Sequence, residues 1–237
     1  MPGIESIGTG LIVALVAALL HLDRIVVFQG LFHRPVFLAP LCGLITGQWQ
    51  LAVWVALITE FASLLVPPTG TDLPLDESGW AAITMTGLAF ANVQHAAPAV
   101  FVLGLASLTL PALRNIDIQV RHANGRLARQ AVAQAKAGNR VPFKRLVAAT
   151  ALGQTVVYGL TYAVCGALAA AAVWLLGRMQ PAVVESLWFP TAIVVAVTPM
   201  WMTGRSQTLR SLSLWLRMLL WGCGTVLATM GVTLWLV

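Results

Sequence analysis

The stretch that decides the fold is residues 28–83, FQGLFHRPVFLAPLCGLITGQWQLAVWVALITEFASLLVPPTGTDLPLDESGWAAI. It contains a long apolar run with one carboxylate, Glu60, followed by a Pro/Gly segment with three more acids, Asp72, Asp76 and Glu77. The whole chain has 8 acidic residues, so half of its negative charge lies here. A charge in apolar surroundings is costly and usually faces a cavity or a partner. The stretch therefore predicts a polar solute site inside a membrane protein.

The composition of the chain excludes a soluble fold. The 237 residues are 59% hydrophobic and 9% charged, and their mean hydropathy is +0.85. Soluble domains carry about 25% charged residues. The predicted fold is therefore all-α, a polytopic integral membrane protein with about six to nine membrane-inserted helices, some of them broken or re-entrant. We expect residues 1–237 to form a single membrane domain, in which residues 113–146 are a basic connecting segment.

The first half of the chain predicts helices with interruptions. Residues 7–22 predict the first membrane helix. Residues 22–34 alternate charged and apolar positions, which favours an amphipathic helix that ends before Pro35. Residues 35–66 are too long for one straight span and too short for two, and Pro40, Gly43 and Gly47 interrupt them. Such a broken segment is tolerated inside protein or beside a cavity.

The second half predicts longer helices. Asp76 and Glu77 predict the acidic start of a helix that continues to residue 90. Further apolar runs cover residues 98–113, 146–176, 181–202 and 212–237. In the run from 146 to 176, Gln154, Tyr158 and Tyr162 recur at every fourth position, so they share one face of a helix.

A basic segment joins two apolar blocks. Residues 114–145 hold eight of the 14 Lys and Arg residues, and Asp117 is their single acid. The positive-inside rule predicts that this segment is cytoplasmic, and nucleic-acid binding is not needed to explain it. The three cysteines are far apart, and neither a metal site nor a disulfide framework is predicted. No hydrolase, metalloprotease or P-loop motif is present, so the sequence predicts no catalytic residue.

Glu60 allows three interpretations. It could accept hydrogen bonds from two hydroxyls of a bound solute, because a carboxylate accepts from adjacent donors at once. It could instead be a structural carboxylate paired with Arg24 or Arg34. A proton relay is the third interpretation, since ionisable groups within a membrane serve such relays.

The other polar candidates also have two interpretations each. Asp72, Asp76 and Glu77 are either part of a solute site or an ordinary solvated turn and helix N-cap. His95 either lines a polar cavity with its neighbours Asn92 and Gln94 or is a satisfied structural group.

Several motifs occur in an order that is typical of one family. Gln29 and then His33-Arg34-Pro35 lead into Pro40-Leu41-x-Gly43-Leu44-x-x-Gly47, Glu60 follows, and a turn closes the stretch with Pro68-Thr69-Gly70 and Pro74-Leu75-Asp76-Glu77. This order resembles the IIC subunit of the mannose/fructose/sorbose class of the bacterial sugar phosphotransferase system. The resemblance covers most of residues 8–210 and is strongest over 22–83. Leu75 replaces the second proline of the family's turn, and Thr59 replaces the leucine that usually precedes the glutamate.

The resemblance implies a function and a set of partners. A IIC subunit would form a sugar pathway in the bacterial inner membrane with a IID membrane subunit, and the family suggests a trimer of IIC–IID pairs. Phosphate would come from a histidine of a separate IIB protein that IIA charges, so this chain would need no cofactor and would not be catalytic alone. The implied sugar-binding residues are Glu60 and Asp76, with support from Gln29, Asp72, Glu77 and His95. The rival expectations are a stand-alone secondary transporter that uses Glu60 as a proton or ion site, and a scaffold or sensor subunit that transports nothing.

Overall fold

A computed structural model describes residues 4–24, 30–64 and 76–177 of the chain. Within these ranges the backbone is almost entirely helical and forms no strand, which confirms the all-α prediction. The predicted runs 181–202 and 212–237 lie outside the described residues. Helices α1 and α7 are each long and apolar enough to cross a membrane, and α5 with α6 passes the same test as one bent pair. The helices are α1 Ile4–His21, a 3-10 turn Leu22–Arg24, α2 Pro35–Thr46, α3 Trp49–Leu64, α4 Glu77–Ala91, α5 Ala96–Leu108, α6 Leu110–Lys136 and α7 Phe143–Gly177.

Helix α4 lies at the centre of the described bundle. It contacts α1, α2, α3, α5 and α7, and its side chains from Glu77 to Phe90 are buried on every face. A helix that is apolar all round is expected to be surrounded by others. Gly87 of α4 and Gly166 of α7 come close to the facing helix, as small residues do where membrane helices cross. The acidic start of this helix, at Asp76 and Glu77, is therefore positioned by the whole core.

Helices α2 and α3 are two short helices packed against each other, as the interrupted sequence predicts. Gly47 ends α2 with a φ of 70°, a left-handed conformation that favours glycine. The Cα of Gly43 lies so close to Ala52 of α3 that no side chain would fit there. Both helices are shorter than the roughly 20 residues that a straight span needs. They place Arg34, just before α2, close to the carboxyl-terminal part of α3.

The predicted amphipathic helix over residues 22–34 is wrong where the structure describes it. Leu22–Arg24 form a 3-10 turn and not an α-helix, and Gly30 to Arg34 form a non-helical turn in which Leu31 has a φ of 66°. The Asp23 carboxylate explains the difference. It accepts hydrogen bonds from the backbone N–H groups of Gly30 and Phe32, which offers the chain an alternative to helical bonding.

Helices α5 and α6 show that the predicted span 98–113 is interrupted. The axis bends by 46° between Pro98–Leu108 and Leu110–Lys136. Pro111 lies in the first turn of α6, where its missing N–H is tolerated. The buried residues of α6 lie in its first turns, at Leu110, Leu113 and Asp117, and its later turns are largely exposed. The sequence Ala137-Gly138-Asn139 favours a helix stop, and α6 does end at Lys136, with a φ of 76° at Gly138.

Candidate functional site

Asp76 is held at the start of α4 by a buried arginine. Its Oδ1 accepts from Arg24 Nη1 at 2.8 Å and from the backbone N–H of Gly79 at 3.1 Å, so it also caps the helix. The side chains of Arg24 and Asp76 are 11% and 3% exposed. The second oxygen, Oδ2, is buried and has no hydrogen-bond partner among the described residues. One lone-pair face of this carboxylate can therefore accept a further donor.

Arg34 joins two carboxylates from different helices. Its Nη1 lies 3.3 Å from Oε1 of Glu60 on α3 and 3.7 Å from Oε1 of Glu77 on α4. The Glu60 and Arg34 side chains are 20% and 35% exposed, whereas Glu77 is 9% exposed. The Glu60–Arg34 pair is one that the structural interpretation of Glu60 predicts. Of the acids Glu60, Asp76 and Glu77, Glu60 has the most exposed side chain.

Asp23 organises the chain that leads to Arg34. Besides the two backbone N–H groups, its Oδ2 lies 3.3 Å from Nδ1 of His33. Burial lowers the pKa of His33 below its ordinary value of 6.5, although the Asp23 carboxylate acts in the opposite direction. The contact is therefore a hydrogen bond from a neutral imidazole at neutral pH. It fixes the turn that positions Arg34.

The structure brings three of the six predicted site residues together. Glu60, Asp76 and Glu77 meet through the two arginines, and we call these three acids with Arg24 and Arg34 the carboxylate cluster. Gln29 and Asp72 lie outside the described residues. His95 is exposed and lies beyond the other end of α4, a 15-residue helix about 22 Å long, so the structure places it apart from the cluster.

A separate cleft lies between α3 and α5. It is lined mostly by apolar side chains, with Trp54, Gln50 and Gln94 among them. None of the three clustered acids lines it. Trp80, the other tryptophan near the acidic stretch, is fully buried and its Nε1 donates to the Leu103 carbonyl at 3.0 Å. Trp80 is therefore a packing residue that ties α4 to α5.

A buried polar chain joins α6, α7 and α1 beside the carboxylate cluster. Asp117 accepts from Arg121 Nε and from the Tyr158 hydroxyl, both at 3.1 Å. The Tyr158 ring stacks at a tilt on His21, with centroids 4.0 Å apart. The hydroxyl of Tyr162 lies 3.0 Å from Nδ1 of His21. The predicted polar face of α7 is confirmed as a buried one.

The carboxylate cluster and this buried polar chain are neighbours in space. The charged groups that act on His21 electrostatically include Asp76, Arg24 and Asp117. Arg24 is likewise acted on by Asp76, Glu77 and Asp117. The sequence does not single out His21 or Asp117 as site residues. His21 is a lone polar residue at a helix end, and Asp117 is a lone acid in a basic segment. The regular spacing on α7 was the one signal that pointed to this place.

Comparison with known proteins identifies the family. A family model described as the PTS (phosphotransferase) system sorbose-specific IIC component, EII-Sor, matches residues 7–197. The chain belongs to this family. It is therefore an integral membrane component of a sugar phosphotransferase system, and the predicted resemblance is confirmed.

Structural comparison agrees on the fold of the IIC chain. A solved structure described as "Structure of membrane protein" matches with a TM-score of 0.61 and 19% identity, over 98% of this chain and 96% of that chain. At this identity the likeness concerns the fold alone. A search of the curated proteins finds no match.

The arrangement in the IIC chain is suited to hydroxyl-rich solutes. Carboxylates accept hydrogen bonds and guanidinium groups donate them, whereas a sugar hydroxyl does both. Charge-assisted hydrogen bonds are stronger than those between neutral groups, and low polarity around the cluster strengthens them further. The cluster also lies at helix ends, where the short helices α2 and α3 meet the start of α4. In membrane transporters, binding sites commonly form at such interrupted helices.

Proposed function

We propose that the IIC chain is the sugar-translocating subunit of its phosphotransferase system. It forms the sugar pathway with a IID membrane subunit, and a IIB protein that IIA has charged donates the phosphoryl group to a sugar hydroxyl. The observation that carries the proposal is the meeting of Glu60, Asp76 and Glu77 on Arg24 and Arg34. This cluster stands in the segment where a family member would bind its sugar.

Glu60 and Asp76 have different parts in this proposal. Asp76 offers a buried oxygen whose hydrogen-bonding capacity is unused among the described residues. Glu60 is the more accessible acid and meets the solute first, together with the outer side of Arg34. Glu77 is buried behind them and keeps Arg34 in place. Gln29, Asp72 and His95 remain proposed supports. Gln29 and Asp72 lie outside the described residues, and His95, beyond the far end of α4, would act apart from the cluster.

The ion pair of Glu60 does not decide between the rival functions. A stand-alone secondary transporter predicts sugar uptake without IID and IIB, whatever the ion-pair partner of Glu60. A structural pair in a scaffold or sensor subunit would look the same, and the experiment below separates that rival from transport.

The membrane arrangement is also a proposal. We place the chain in the bacterial inner membrane with residues 114–145 on the cytoplasmic side. The support is the concentration of basic residues in a helix that leaves the bundle, in agreement with the positive-inside rule. Phosphoryl transfer would then occur on the side that the basic helix occupies. A trimer of IIC–IID pairs is the proposed assembly.

The proposal is tested by sugar uptake in cells that express this chain with its IID, IIA and IIB partners. The variant is Glu60→Gln, which keeps the shape of the side chain but removes its charge. Glu5→Gln is the matched control, because Glu5 is an exposed acid in the first turn of α1. We expect phosphorylated sugar to accumulate with the wild type and the control, and to fall at least about tenfold with Glu60→Gln.

Three other outcomes would contradict parts of the proposal. Equal accumulation with wild type and Glu60→Gln would remove Glu60 from the sugar site. No phosphorylated product from any version, across hexoses and amino sugars, would favour the scaffold or sensor. Uptake of unmodified sugar without IID and IIB would favour the secondary transporter.

A further inference from the structure

Several buried polar atoms on α1, on α7 and at the start of α4 lack hydrogen-bond partners among the described residues. They include Oδ2 of Asp76, Oγ of Ser78, Nε2 of His21 and both amide atoms of Gln154. His21 is fully buried and Gln154 is 3% exposed. Leaving such a group unpaired costs about 1–3 kcal/mol, so native proteins contain few of them. Several of them on helices that pack against one another indicate a place that is built for a polar occupant.

These groups lie on three helices that meet beside the carboxylate cluster. His21 ends α1 and interacts electrostatically with Asp76 at the start of α4. Its ring stacks on Tyr158 of α7. Gln154 lies one helical turn before Tyr158 on the same buried face, and α7 contacts the 3-10 turn that carries Arg24. The neighbouring polar atoms are already engaged: Nδ1 of His21 with Tyr162, and the Tyr158 hydroxyl with Asp117.

We propose that His21 and Gln154 extend the sugar site inward from Asp76, and that both bind hydroxyl groups of the sugar directly. This inference rests on the proposed function and adds specificity-determining residues to it. An amide offers both donors and an acceptor, and the free Nε2 of an imidazole accepts or donates according to its tautomer. Together with the acceptor oxygen of Asp76 they match a hydroxyl pattern. Tyr162 is a positioning residue, since it holds the other nitrogen of His21.

The main test is Gln154→Leu in the purified IIC–IID complex. Binding of L-sorbose, D-fructose and D-mannose and the melting temperature are measured on the same samples. Leucine has a similar size and removes a buried amide that has no hydrogen-bond partner among the described residues, so we expect the protein to become more stable. We expect the dissociation constant of the bound sugar to rise about tenfold, as loss of one good hydrogen bond implies. Gln134→Leu, at an exposed position of α6, is the matched control and should change neither quantity.

Monodeoxy analogues of the bound sugar then identify the hydroxyl. In the wild type, one analogue should bind about tenfold more weakly than the parent sugar. In Gln154→Leu, that analogue and the parent sugar should bind equally tightly. A double variant, His21→Phe with Tyr162→Phe, repeats the test for His21. It removes both partners of one hydrogen bond, which limits the loss of stability.

Every outcome decides the inference. Sugar affinity that is unchanged in Gln154→Leu and in the double variant would overturn it and would indicate that the two polar groups hold buried water instead. If Glu60→Gln still weakens binding in that case, the proposed function stands and only the inward extension is wrong. If the wild-type complex binds none of the three sugars, the proposed function fails and this inference fails with it.

Discussion

A tight contact between α7 and α4 gives a stability prediction that can be worked out from the distances. A Cβ added to Gly166 of α7 would lie 2.6 Å from Cγ2 and 2.9 Å from Cβ of Thr86, and 3.0 Å from the backbone nitrogen of Gly87. Thr86 is fully buried, and its hydroxyl donates to the Ala82 carbonyl at 2.7 Å. Neither the threonine Cβ nor a helix backbone can swing away. The Gly166→Ala variant must therefore push α4 and α7 apart.

The size of this effect follows from two opposing terms. Overpacking a tight core costs about 1–3 kcal/mol, whereas alanine gains up to about 1 kcal/mol over glycine in a helix. For a chain of this size, a net loss of about 1–2 kcal/mol lowers the melting temperature by about 2–8 °C. Gly153→Ala is the control on the same helix, because nothing lies within 4 Å of its Cβ position. Thermal unfolding of both variants in detergent measures the difference, and a Gly166→Ala protein as stable as Gly153→Ala would refute the packing of α4 on α7.

Three further changes test separate parts of the fold by the same thermal unfolding assay. Trp80→Phe removes the hydrogen bond from α4 to α5 and part of a buried ring, so we expect a loss of about 1–3 kcal/mol, and an unchanged melting temperature would argue against that contact. Gly47→Ala should cost about 1–2 kcal/mol because its φ is 70°, whereas Gly8→Ala, in open space on α1, should cost nothing. Asp23→Asn loses at least one of two backbone hydrogen bonds to a charged acceptor, for about 1.5–3 kcal/mol, and a variant as stable as the wild type would contradict its part in the turn.

Features set by neighbouring residues could be predicted from the sequence. Asp76 as the N-cap of α4, the stop after Lys136 and the shared face of Gln154, Tyr158 and Tyr162 follow from local chemistry and the helical repeat. The interruption at Gly47 follows for the same reason, since a left-handed residue is most easily a glycine.

Contacts between distant parts of the chain could not be predicted in this way. Arg24 and Asp76 are 52 positions apart, and Tyr162 and His21 are 141 positions apart. A local sequence pattern does not predict which acid forms an ion pair with a given arginine. Arg24 and Arg34 were therefore equally good predicted partners for Glu60. The helix predicted over residues 22–34 failed at residues 30–34 for a related reason. The charged and apolar positions do alternate there, but the Asp23 carboxylate takes backbone donors that a helix would use.

The charge of the carboxylate cluster bears on how a phosphorylated sugar would leave it. The cluster holds three carboxylates, Glu60, Asp76 and Glu77, and two guanidinium groups, Arg24 and Arg34. The Asp23 carboxylate directly precedes Arg24 in the chain, and its partner His33 is largely neutral, so negative charge is in excess here. A neutral sugar can donate hydroxyls to this excess of negative charge. A phosphate ester carries about −1.5 to −2 charges, and repulsion between like charges is stronger in surroundings of low polarity than in water.

On the proposed function, phosphorylation therefore converts a bound solute into one that the site repels, which favours release and opposes return. Competition binding to the IIC–IID complex measures the effect with D-mannose and D-mannose 6-phosphate. We expect the ester to bind at least about tenfold more weakly, since like-charge juxtaposition costs more than a single hydrogen bond. Removing one buried charge with Glu77→Gln should narrow the difference. Equal affinities for sugar and ester in the wild type would show that the excess charge of the cluster does not reach the solute, and the carboxylates would then act on the fold and not on the sugar.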